Sequence, residues 1–301
     1  MSPPIFSVQF NEIVIIESLA KGQQPVGHEV ALETIKPKAI EAGVGLRLLP
    51  APDKNAMFKA LGHLLRRCRE SGSVPMLQVD AHGMVDPPGL MLGDGSPLPW
   101  SEVMPHLSVL NAASHNNLFL ILACCHGAHM VTKSDFRFPA PFHTLLAPRD
   151  EVWTNDLHDR LSAFYGALLP LGDMAAALKA LDAAMATVET PYLFTRCDEV
   201  LALGYAEYLG VVAREGTPAR IERVAREVQV ERSRAGLPLL DGDVLRREVT
   251  RRLADQSVEP KNYEETAAKF LMLDDPLVNR TLVPPYDYVL RRSRGLPKSD
   301  T

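Results

Sequence analysis

Residues 117–123, Asn-Leu-Phe-Leu-Ile-Leu-Ala, are the most apolar run in the chain, and the run stops dead at Cys124-Cys125-His126-Gly127. So short a run, bounded by polar residues, reads as a central strand of a sheet covered on both faces. Three similar runs precede it. Residues 13–17 (IVIIE) are short and β-branched. Residues 45–49 (GLRLL) are closed by Pro50 and Pro52, and residues 74–79 (VPMLQV) carry a proline only near their start, where a strand tolerates it. Segments of helical spacing lie between them: residues 26–42, interrupted by Pro37, and a helix capped by Asp53 with Phe58, Leu61, Leu64 and Leu65 on one face. Strand–helix alternation of this kind predicts a three-layer α/β fold with a mostly parallel central sheet.

Between the third and fourth strands, Gly89-Leu90-Met91-Leu92-Gly93-Asp94-Gly95 reads as a hairpin turning at Gly-Asp-Gly, with Asp94 as a turn former. A helix follows over residues 100–110. Beyond Cys125 the pattern changes. Residues 132–149 are charged and proline-rich and read as a loop. Residues 157–185 are helical with a break at 170–173, and residues 193–212 read as another helix. Arginine and glutamate recur at helical spacing over residues 217–255, broken at Gly236-Leu237-Pro238, which reads as a solvated face. The tail from Pro284 reads as irregular. The expected division is a core over residues 1–150 and a helical extension over residues 151–301 that completes or decorates it, serves as support or docking surface, and carries no catalytic residue. Trp100 and Trp153 are expected to pack.

Bulk properties narrow the function. A net charge of −5 gives nucleic acid no general attraction, and 6% aromatics offers no stacking platform. No run of 18 uncharged apolar residues exists, so no membrane span is expected, and the first twenty residues lack the basic start of a secretory signal. Four cysteines, two of them adjacent, are a poor disulfide scaffold, so free thiols in the cytoplasm are expected. No GxGxxG, P-loop or HExxH occurs, and no cofactor is expected. Cys124, Cys125, His126 and His129 have zinc-donor chemistry, but adjacent cysteines can hardly both turn toward one ion. No metal is expected either.

Two motifs carry the chemistry. Val79-Asp80-Ala81-His82-Gly83 closes the third strand, and Ala123-Cys124-Cys125-His126-Gly127 closes the fourth. Both fall at strand carboxyl ends, where open α/β sheets gather their ligands. A thiol reacts as its thiolate, and a nearby imidazole can take its proton. Attack on an amide carbonyl makes an oxyanion, which backbone N–H groups stabilise. Gly83 would let the main chain approach a substrate, and Asp80 lies on the same side of the strand as His82.

Strands ending in His-Gly and then in a small residue followed by Cys-x-Gly resemble those of the caspase-like cysteine peptidases, the group of caspases, paracaspases, legumain, gingipains, separases and bacterial CHAT domains. The hairpin at residues 89–95 and the helix at 100–110 look like the CHAT pattern, and the resemblance covers about residues 10 to 150. It implies a peptidase acting through a thioester, with Cys125 as nucleophile and His82 as general base and then acid. It implies an oxyanion hole from the N–H groups of Gly83 and Cys125. A Cys-x-x-Gly spacing would select Cys124 instead. Ala123, two before the nucleophile, is neither amide nor acid, so no P1 preference carries over. The implied partners are a protein substrate and a regulatory protein. The alternative is a caspase-like module with little turnover in a regulatory or defence complex.

Overall fold

The structure is a computed structural model that describes residues 9–184, 192–215, 217–255, 258–278 and 283–295. It divides into two units. The first holds residues 1–197 and 274–278, the second residues 198–273 and 279–301.

The first unit is built on a sheet. Strand β1 (Glu12–Ser18) leads into α1 (Val26–Val30), a π turn (Ala31–Ile35) and α2 (Lys36–Ala42). Pro37 therefore does not end the helix. The wide turn just before it absorbs the missing N–H. β2 (Gly45–Pro50) follows, then α3 (Lys54–Ser71), whose first turn is capped by the Asp53 carboxylate accepting from the Ala56 amide. β3 (Pro75–Val85) is longer than its sequence signal. It pairs with the small antiparallel strand β4 (Pro88–Met91), which pairs in turn with β5 (Pro97–Pro99), the hairpin anticipated around Gly93-Asp94-Gly95. Then come α4 (Trp100–Ala113) and β6 (Phe119–Ala123).

The main sheet runs β2-β1-β3-β6-β7-β8 and is parallel except at β8. Two of its strands depart from the sequence reading. Residues 132–149 are not all loop, since β7 (Thr144–Pro148) lies buried between β6 and β8. Residues 193–196 are not helix. Tyr192–Arg196 forms β8, antiparallel to β7, and α7 (Cys197–Glu215) starts directly after it. A neighbour supplying ladder hydrogen bonds outweighs local preference in both places. One face of the sheet packs α1, α2, α5 (Thr154–Leu171) and α6 (Met174–Ala183), burying Ile13, Ile15, Met76, Phe119, Ile121 and Leu146. The other face carries α3 and α4. Trp100 is buried as expected, but Trp153, expected to pack, is 72% exposed at the foot of α5.

The second unit is helical: most of α7, then α8 (Thr217–Arg234), α9 (Gly242–Ala254), α10 (Val258–Phe270) and α11 (Tyr286–Ser293). The last replaces the irregular tail expected from Pro284. Pro284 and Pro285 set the extended entry to the helix, and Val289 is buried behind it. The arginine-rich stretch is mostly paired along its own surface, Arg251 and Arg252 with Glu248 and Arg246 with Glu222. No helix among the described residues is long and apolar enough to cross a membrane.

At the amino end of β1 the buried Glu12 accepts from Ser73 Oγ at 2.7 Å and from Arg67 Nη2 at 3.1 Å, and it pairs with Arg47. Burial alone would raise its pKa. The Ser73 hydroxyl and the two guanidinium groups outweigh that and hold it below its ordinary value of 4.5. A depressed folded-state pKa gives stability that is full above the unfolded value and lost as pH falls through the folded one. The thermal midpoint is therefore expected to drop below about pH 4.5, and Glu12→Gln to flatten part of that drop. Equal acid slopes in the two proteins would remove Glu12 from the response.

Candidate active site

The last rung between β3 and β6 joins Asp80 to Ala123. Beyond it the strands part. β6 ends, and Cys124 and Cys125 enter a turn. β3 does not end there, as its apolar pattern predicts; it continues through His82 and Gly83 and exchanges β6 for β4, with His82 opposite Met91. His82 and Cys125 each stand two residues past that last rung, His82 still on β3 and Cys125 in the turn that follows β6.

Gly83 meets Cys125 directly. A Cβ at Gly83 would lie 1.6 Å from the Cys125 carbonyl oxygen and 2.5 Å from its carbonyl carbon. The two motifs touch main chain to main chain, and only a residue without a side chain permits it. Gly127 is similarly enclosed, facing Leu122, Ala147 and the Cys124 sulfur. Between Cys125 and Gly127 the chain turns through His126 at φ 55°, a left-handed conformation, with the His126 amide donating to Asp150 O at 3.0 Å.

The two candidate nucleophiles differ in setting. Cys124 is 2% exposed, and burial, with Cys125 and the Asp80 carboxylate nearby, drives its thiol pKa far above the ordinary range. Cys125 is only partly buried. Its sulfur accepts from the Val152 amide at 3.5 Å and faces the Val152 carbonyl at 3.8 Å. The other cysteines stand apart from the motifs. Cys68 is buried in α3 with its pKa pushed up to about 11, first by burial and then by Glu12. Cys197 is buried against Asn116. Among the described residues no group of three or more His, Cys, Asp or Glu is placed to hold a metal ion.

Asp80 does not orient His82. Its Oδ1 accepts from Gln78 Nε2 at 2.8 Å, and Gln78 Oε1 accepts from the Tyr165 hydroxyl at 2.8 Å. No local signal in the sequence announces this buried chain from α5 to β3, because its members are far apart along the polypeptide. A second cluster is equally silent. Arg160 pairs with Asp156 at 2.9 Å and lies over the Tyr192 ring at 5.0 Å. Burial raises the Tyr192 hydroxyl pKa well above its ordinary value, with Asp156 and the thiols of Cys124 and Cys125 adding to it.

No protein-family model matches this chain, and no curated protein does. Among solved structures it is similar to the crystal structure of caspase-1 from Spodoptera frugiperda, with a TM-score of 0.45 and 12% identity, over 65% of this chain and 91% of that one.

Proposed function

We propose that this chain is a caspase-like cysteine peptidase that cleaves protein substrates with Cys125 and His82. The observation that carries the reading is the contact of Gly83 with Cys125, which brings the two strand-end motifs to one point of the sheet edge. In the reaction the Cys125 sulfur attacks the scissile carbonyl carbon as its proton passes to His82. The oxyanion formed accepts from the amides of Gly83 and Cys125. The C–N bond then breaks, and the departing amine takes the proton from His82. Water attacks the thioester, gives a proton to His82, and the C–S bond breaks to return the thiol and release the acid.

A second reading, a module with little turnover until a regulatory partner binds, is favoured by one observation. The Cys125 thiol is engaged with the Val152 main chain and would have to turn from it to act.

The test is reaction with a peptidyl acyloxymethyl ketone, in which the Cys125 sulfur displaces the carboxylate leaving group, followed by mapping of the modified cysteine by mass spectrometry. Modification confined to Cys125 is expected, slowed on the order of 100-fold or more in His82→Ala. Equal modification of Cys68, Cys124 and Cys197, or none at Cys125, would refute the peptidase reading.

A further inference from the structure

A groove of about 710 Å³ lies along α4. Its floor is the outer face of that helix, from Ser101 through Met104, Pro105 and Val109 to Ala113. Its far wall is Phe138, Pro139 and Pro141, in the segment that leads into β7. That wall is pinned to the helix, because the buried Asn111 donates from Nδ2 to Ala140 O at 2.9 Å. None of the lining residues belongs to the two strand-end motifs. The groove is open at its rim, with Phe138 59% and Val109 45% exposed, and covering such apolar surface is favourable.

Two cations border this apolar surface. α3 and α4 run side by side in the same direction, joined by the Lys54–Glu102 ion pair at 2.7 Å and the stacked rings of Phe58 and His106 at 4.3 Å. The last turn of α3 therefore brings Arg69 to the end of the groove that holds Ala112 and Ala113. Lys133 joins the lining from the end of the short 3-10 helix Gly127–Lys133. Both are exposed, and neither forms an ion pair with an acid among the described residues. Asp135, the acid in the lining, is already engaged by Arg137, with contacts of 3.0 and 2.8 Å to its two oxygens.

We propose that this groove binds a free long-chain carboxylate, with the hydrocarbon chain along α4 and the carboxylate held by Arg69 or Lys133. The volume is that of a small-molecule site. From Ser101 to Ala113 the helix rises about 18 Å, a length that an extended dodecanoate chain spans. The walls say what the body of the ligand must be. The main-chain groups of α4 are used within the helix, and Pro105, Pro139 and Pro141 bring no N–H. A nucleotide or an extended peptide would leave its polar groups unpaired there, whereas a hydrocarbon has none to satisfy. The two cations then fix the sign of the head group, since a carboxylate gains a charge-assisted hydrogen bond and an ammonium meets repulsion. The site takes no residue from the proposed dyad, so it stands or falls independently of the peptidase reading.

The experiment is calorimetric titration of the full chain with dodecanoate below its micelle concentration, beside dodecyltrimethylammonium, which keeps the chain and reverses the charge, and acetate, which keeps the head and removes the chain. Dodecanoate is expected to bind one to one, and the other two at least about tenfold more weakly. The double variant Arg69→Gln, Lys133→Gln is expected to bind dodecanoate at least about tenfold more weakly than the wild type. Val109→Glu, which sets a carboxylate on the floor, is expected to abolish binding. Thermal midpoints check that the variants fold. If Val109→Glu does not, the double variant decides, since both of its positions are exposed. Equal affinity for the carboxylate and the ammonium, wild-type affinity in the folded double variant, uptake of many dodecanoates without saturation, or no binding of dodecanoate would each overturn the proposal.

Discussion

Cys125→Ala is expected to abolish substrate cleavage and probe modification, while Cys124→Ala keeps most of both. The two sulfurs are neighbours in sequence and opposites in environment. Cys124 directly follows β6 and is buried, its sulfur facing Gly127 and its thiolate suppressed by burial. Cys125 begins the turn that leaves the strand, in contact with Gly83 and partly open to solvent. Removing the Cys125 sulfur takes away the atom proposed to form the thioester, so the loss should be complete within the sensitivity of the assay. Removing the Cys124 sulfur leaves a small void in a dry site, a stability cost of about 1 kcal/mol. The measurement is residual turnover beside the thermal midpoint for each variant. A dead Cys124→Ala beside an active Cys125→Ala would move the nucleophile by one residue and with it the oxyanion donor.

The core of the sheet is legible in the sequence because its strands are fully buried. β1 and β6 read as apolar runs because helices cover both faces, and β3 does so apart from the buried Gln78 and Asp80. β7 and β8 are hidden for the opposite reason. Thr144–Pro148 is five residues beside a charged loop, and Tyr192–Arg196 passes into α7 with no intervening turn residue. Their strand character comes from pairing, β7 with both β6 and β8, and β8 with β7. The site divides in the same way. His82, Gly83 and Cys125 announce themselves because polar groups at the end of an apolar strand break its pattern. The buried chain from Tyr165 through Gln78 to Asp80 acquires meaning only from the fold, which brings α5 against β3 across 87 positions of sequence. Val152 reaches Cys125 from 27 positions away through its main chain, so its side chain leaves no trace of the contact. Trp153 misleads because size alone suggests burial, whereas its place just before α5 leaves the ring in solvent.

Gly83→Ala is expected to be nearly as damaging as loss of the nucleophile, although it adds one methyl group and touches no reacting atom. The new Cβ would be placed 1.6 Å from the Cys125 carbonyl oxygen and 3.1 Å from its Cα. These are main-chain atoms, so no side-chain rotation can relieve the overlap. Either β3 moves away from the turn after β6, or that turn moves. The first disturbs the pairing of Gly83 with Leu90 in the β4 ladder. The second displaces the sulfur and both proposed oxyanion donors together. Overpacking of this kind costs about 1–3 kcal/mol in stability. A displacement of about 1 Å at a catalytic group costs on the order of 100-fold in rate. Gly62→Ala is the matched control. It lies within α3, and a Cβ there meets nothing within 4 Å, so the exchange should raise stability by up to about 1 kcal/mol through helix propensity. Modification of Cys125 and thermal midpoint are to be measured on both variants. Wild-type reactivity in a fully folded Gly83→Ala would mean that the close approach of the two strand ends is not what positions the thiol, and the basis for pairing His82 with Cys125 would be lost.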